Sequence, residues 1–111
     1  MTLPAFFVSH GAPTLALEDT PVTRAWSRLA EGLAPKAVVA VSAHWDTPVP
    51  AVTSGLRLST IHDFYGFPQP LYHVRYEPPG APEIAERVTT LLAGAGFAIE
   101  SDPSRGIDHG A

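Results

Sequence analysis

Two of the five histidines in this 111-residue chain stand directly after apolar runs. His10 closes Phe6-Phe7-Val8-Ser9-His10, and His44 closes Val39-Ala40-Val41-Ser42-Ala43-His44. Each follows what reads as a buried strand and a small residue, so both imidazoles are expected to project from the same edge of a sheet. In open α/β sheets that carboxyl edge is where ligands bind. If the two strands are neighbours, ~4.8 Å apart, two imidazoles can share one metal ion. The chain has no cysteine, so a metal must be held by nitrogen and oxygen donors, a set suited to iron, zinc, copper or nickel. The competing reading makes each histidine a polar strand-end residue bonded to a backbone carbonyl. His109, in Gly106-Ile107-Asp108-His109-Gly110, is the third candidate. An imidazole that titrates near neutrality is the usual general base, and Asp108 beside it could orient a neighbour or accept a proton. The alternative is a polar residue of the tail. His62 and Asp63, followed by Phe64, Tyr65 and Phe67, could line a pocket for a flat aromatic substrate or form a loop that covers the sheet. His73 has no marked context.

The elements that must position these residues follow from the hydrophobic period. Leu3–Val8 and Lys36–Ser42 read as strands, the second apolar on both faces, as in a parallel sheet covered on both sides. Ala51–Ser54 is a third strand and Phe97–Glu100 a fourth. Between the first two, Thr20-Pro21 is a helix cap and first turn. Val22, Ala25, Trp26, Leu29, Ala30 and Leu33 then share a helical face until Pro35. Helical spacing returns after Pro82 through Ile84, Val88, Leu91, Leu92 and Ala95, with Gly94 and Gly96 as stop signals. Thr60–Pro79 has no clean period, and its aromatic density argues for a functional segment rather than disorder. The order fits an α/β fold with an open, mostly parallel sheet and helices on both faces.

Composition narrows the partners. With 45% hydrophobic and 16% charged residues, the chain reads as one soluble domain over 1–111. Seven Lys and Arg against eleven Asp and Glu give a net charge of −4 without a basic cluster. Neither nucleic acid nor an anionic membrane is therefore the expected partner. No apolar run approaches the ~20 residues of a membrane span. The N-terminus lacks a signal-peptide pattern, and a cytoplasmic location is expected. Phosphate loops, G-x-S-x-G and H-E-x-x-H are absent.

Five motifs can now be set in order: S-H-G-A-P-T at 9–14, V-S-A-H-W at 41–45, T-I-H-D-F-Y-G-F-P at 60–68, Y-x-P-P-G-A-P at 76–82 and D-H-G at 108–110. In this order and spacing the chain resembles the class III extradiol ring-cleavage dioxygenases, and within them the DOPA 4,5-dioxygenase-like subgroup. The resemblance implies an open α/β catalytic domain that opens the ring of a catechol-type substrate with O2. It matches His10 and His44 to metal ligands, for one Fe(II) or Zn(II) ion, and His109 to the acid–base histidine near the metal. The 60–68 loop matches a segment near the active site, with His62, Asp63, Phe64 and Tyr65 as pocket candidates. A metal that binds both catechol hydroxyls lowers their pKa, and a nearby histidine can take the second proton. Members of this family are longer, so 1–111 is expected to be the N-terminal part of one catalytic domain. The remaining ligands are then expected in a C-terminal half, with a homo-oligomer as another way to cover the sheet. Two other functions are compatible with the residues: a non-catalytic fragment or binding module that keeps the fold, and a zinc-dependent hydrolase.

Overall fold

The computed structural model describes residues 2–111. They fall into two compact units, Met1–Lys36 with Tyr65–Val74, and Ala37–Phe64 with Arg75–Ala111.

In the first unit, helix α1 spans Pro21–Ala30. Thr20 caps it reciprocally: its Oγ1 accepts from the Thr23 backbone N–H at 3.2 Å, and Thr23 Oγ1 accepts from the Thr20 N–H at 2.9 Å. Such a box satisfies two backbone donors that the first turn leaves unpaired. The helix stops at Ala30, short of the expected Leu33. Gly32 at φ +80° turns the chain out of the helix before Pro35 is reached, a conformation that costs glycine nothing. A short 3₁₀ turn, Pro13–Leu17, precedes α1, and a second 3₁₀ turn, Gln69–His73, packs against the first. Leu71 in the latter is the buried apolar side chain of this unit among the described residues.

The second unit holds a β-α-β arrangement. Strand β1, Ala51–Thr53, and strand β2, Glu100–Asp102, pair in parallel, with Ala51 opposite Glu100 and Thr53 opposite Asp102. Helix α2, Pro82–Gly94, connects them and packs on β1, burying Ala85. Parallel strands need a crossover of this kind, so the α/β class with parallel pairing is what the chain adopts. The ladder starts where the Glu100 N–H meets the Pro50 carbonyl at 3.0 Å. The last strand therefore starts three residues later than the expected Phe97–Glu100 and shares only Glu100 with it.

Two expected strands do not form. Leu3–Val8 and Lys36–Ser42 carry no regular structure, and Phe7, Val38 and Val41 lie at the surface. A strand exists only when a neighbour takes up its N–H and C=O groups. Among the described residues no chain pairs with either segment, so their backbones gain nothing by extending into a ladder. Their apolar character records a preference for burial that this chain does not satisfy.

Candidate functional site

The site is assembled by a parallel bridge. Thr60 pairs with Ile107, with the Ile61 N–H donating to the Ile107 carbonyl and the Ile107 N–H donating to the Ser59 carbonyl, both at 2.7 Å. Two segments set side by side and pointing the same way deliver the residues that follow them, 62–64 and 108–110, to one place. Asp63 Oδ1 there accepts from the His109 backbone N–H at 3.1 Å and bonds the His109 ring through Nδ1 at 2.6 Å. The His44 ring meets the His109 ring edge to face, with centroids 4.1 Å apart and planes at 71°. Phe64 also meets the His109 ring, with centroids 5.5 Å apart, and His62 meets Phe64 at 5.8 Å. Asp63 Oδ2 lies 4.0 Å from His44 Nδ1, beyond a direct hydrogen bond.

A second network holds His44 in this arrangement. Asp108 is 5% exposed and accepts three hydrogen bonds: Ser42 Oγ at 2.6 Å, the Gly110 N–H at 2.9 Å and Arg105 Nη2 at 2.7 Å. Ser42 Oγ in turn accepts the His44 backbone N–H at 3.1 Å. The carboxylate at 108 thus fixes the turn that carries the histidine at 44. The Arg105 guanidinium also lies 5.1 Å over the Trp45 ring, a cation–π distance, so Trp45 is a packing partner of the site. Gly110 is where only glycine fits: a β-carbon would collide with His44 Cδ2 and stand 2.8 Å from Ser42 Oγ.

Electrostatics follow these contacts. Burial pushes the Asp63 carboxyl up, but the hydrogen bonds from the His109 ring and backbone outweigh it, and the net pKa lies below the usual value. Burial likewise opposes Asp108, and the bonds from Ser42, Gly110 and Arg105 together hold it low. Both groups are carboxylates at neutral pH.

Of the expected site residues, His44, Asp63 and His109 come together, with His62 and Phe64 beside them. Each of the three offers one ligand atom, and these atoms lie within 4.8 Å of one another. Two imidazoles and a carboxylate, with no thiolate, are a donor set that suits a non-haem metal. His10 and Tyr65 belong to the other unit. His10 is exposed, its Nδ1 3.2 Å from the Gly11 carbonyl, and Tyr65 is also exposed. Asp63 is first of all a partner of His109, which the aromatic setting of its loop does not announce. Ser42 and Arg105 escape sequence reasoning. The available signals are weak: a serine two residues before His44, and an arginine three residues before Asp108.

Residues 4–111 match the family described as the catalytic LigB subunit of aromatic ring-opening dioxygenase. The chain belongs to the LigB family. Similar proteins include three named 4,5-DOPA dioxygenase extradiol. The one from Beta vulgaris is 43% identical over 111 residues, covering 96% of this chain and 41% of that protein. Its counterpart from Escherichia coli (strain K12) is 44% identical over 110 residues, 98% of this chain and 40% of the relative. The Mirabilis jalapa protein is 39% identical over 110 residues, with 96% and 41% covered. This LigB chain therefore spans about two-fifths of the length of the curated relatives it matches. LigB membership implies a non-haem metal, and the donors gathered around His109 are chemically suited to one. Among the described residues, no helix is long and apolar enough to cross a membrane.

Proposed function

We propose that residues 1–111 are the N-terminal part of a single extradiol dioxygenase catalytic domain that opens the ring of a catechol-type, DOPA-like substrate with O2. The observation that carries this reading is the meeting of His44, Asp63 and His109 in a chain of the LigB family. The 39–44% identity to 4,5-DOPA dioxygenase extradiol proteins supports the substrate class. On this reading the apolar side chains of Leu3–Val8 and Val38–Val41 are covered by the rest of the domain.

His44 is a ligand of one Fe(II) or Zn(II) ion, with His10 as the second histidine and the remaining ligands outside this chain. When bound, the metal supplies Lewis acidity toward the two catechol hydroxyls and a route for electrons to O2. The work of the chain's own residues is positional and acid–base. His109 receives a hydroxyl proton from the substrate, because its ring stands against His44 and its Nδ1 is tied to a carboxylate. Phe64 and His62, whose rings meet edge to face at 88°, form an aromatic corner for the substrate ring beside that histidine, with Tyr65, next in the chain, as a further pocket residue. Asp108 takes no proton: its oxygens are committed to Ser42, Gly110 and Arg105.

Anaerobic titration with Fe(II), followed by oxygen uptake with a catechol, in a protein that joins residues 1–111 to the rest of the proposed domain, tests the reading. His44→Ala is expected to weaken metal binding, and His109→Ala to abolish ring opening while the metal still binds. Uptake that survives His10→Ala and His44→Ala together would sink the ligand assignment. Unchanged turnover in His109→Ala would remove the acid–base role.

A further inference from the structure

The contact between Asp63 and His109 carries more information than proximity. One oxygen, Asp63 Oδ1, faces both the backbone N–H and the ring Nδ1 of the same residue, at 3.1 and 2.6 Å. A carboxylate has no proton to give, so it accepts both bonds, and the proton of the second must reside on Nδ1. A neutral imidazole protonated at Nδ1 carries its lone pair on Nε2. The backbone bond matters as much as the ring bond. With it, the carboxylate grips His109 at two points and fixes the ring's rotation as well as its proton. Ring contacts add to the clamp: His44 meets the His109 ring at 71° and Phe64 meets it at 83°. The parallel bridge between Thr60 and Ile107 brings the two segments into register, so the pairing is built into the backbone. The other carboxylate oxygen is 4.0 Å from His44 Nδ1, which leaves His109 as the hydrogen-bonded partner among the site's two clustered histidines.

We infer that Asp63 is the positioning residue of His109, locking it in the Nδ1–H form with the Nε2 lone pair turned toward the substrate. This rests on the reading of His109 as the acid–base group, and it gives Asp63 a role distinct from lining the pocket. Neutral histidine free in water favours the Nε2–H form, which has no lone pair on the working nitrogen. Without the carboxylate, much of the His109 population would therefore be unable to accept a proton there.

Long-range ¹H–¹⁵N NMR of the ¹⁵N-labelled chain at pH 8 reads the tautomer directly, with the His109 signals assigned by their loss in His109→Gln. The expected pattern is protonated Nδ1 and unprotonated Nε2. In Asp63→Ala the ratio should move toward Nε2–H. Asp63→Asn should restore Nδ1–H, because the His109 backbone N–H can only donate and so holds the amide oxygen, not its nitrogen, at that position. An Nε2–H pattern in the unsubstituted chain overturns the inference. In the ring-opening assay, Asp63→Ala is expected to lower kcat about 10- to 100-fold, as for other outer partners of site histidines, with little change in KM and recovery in Asp63→Asn. Unchanged kcat in Asp63→Ala, with His109→Ala inactive, also overturns it. Unchanged turnover in His109→Ala instead removes the acid–base reading and leaves the tautomer result standing.

Discussion

Removing the Asp108 carboxylate should unfasten the site and much of the second unit with it. The side chain is 2% exposed and pairs with Arg105, itself 22% exposed, at 2.7 Å. Asp108→Ala leaves the guanidinium without its counter-ion, on a side chain whose Nε has no partner among the described residues, and strips the Ser42 hydroxyl and Gly110 N–H of their acceptor. Breaking one side of a buried ion pair costs about 3–5 kcal/mol. Removing a single hydroxyl donor to a charged acceptor costs about 1.5–3 kcal/mol, so Ser42→Ala is the milder variant. Urea slopes of about 1 kcal/mol per M for small domains translate these into midpoint shifts of several molar and of about 1.5–3 M. Trp45 fluorescence reports the loss, since the Arg105 guanidinium sits over that ring, with Trp26→Phe used to silence α1. The pH dependence has a definite sign. Burial opposes ionisation of Asp108, but bonds from Ser42, Gly110 and Arg105 hold its folded pKa below the unfolded value. Its stabilising contribution is therefore complete above about pH 4 and lost as pH falls through the folded pKa. Asp108→Ala should lack this part of the acid transition. A midpoint equal to that of the unsubstituted chain, or a larger loss in Ser42→Ala than in Asp108→Ala, would refute the reasoning.

Three further outcomes are expected. Gly110→Ala places a methyl group against His44 Cδ2 and Ser42 Oγ, so calorimetric affinity for Fe(II) should fall by about 10-fold or more, as when support around a ligand is lost. Thr20→Ala removes the reciprocal cap of α1 and should cost about 1 kcal/mol, read as a lower urea midpoint by circular dichroism at 222 nm. On the proposed function, dialysis against a chelator should abolish oxygen uptake with a catechol in the protein that carries the whole domain, and Fe(II) should restore it.

What the sequence discloses here is sorted by the distance over which each signal acts. The start of α1 at Thr20-Pro21 and the reach of α2 from Pro82 to Gly94 are legible because capping and helical period involve residues within a few positions of one another. Leu3–Val8 and Lys36–Ser42 read as strands for an equally local reason, their apolar β-branched and aromatic content. A strand is a relation between two segments, however, and composition says nothing of whether the second is there to pair. The parallel pairing of Ala51–Thr53 with Glu100–Asp102 arises because a helix of the right length separates them. The site divides along the same line. Motif order names His44, Asp63 and His109, since each lies in a distinctive local string. It does not disclose that Asp63 grips His109 by ring and backbone, because that depends on a bridge between Thr60 and Ile107 that neither string encodes. Arg105 and Ser42 are harder still, ordinary polar residues whose importance comes from a buried carboxylate reached across 66 positions in the case of Ser42. Burial makes the difference: an exposed Asp108 would be indifferent to either neighbour, whereas a desolvated one must be paired to remain charged. The residues that position His44 and His109 are thus specified by a desolvation cost that exists only once the chain has folded around them.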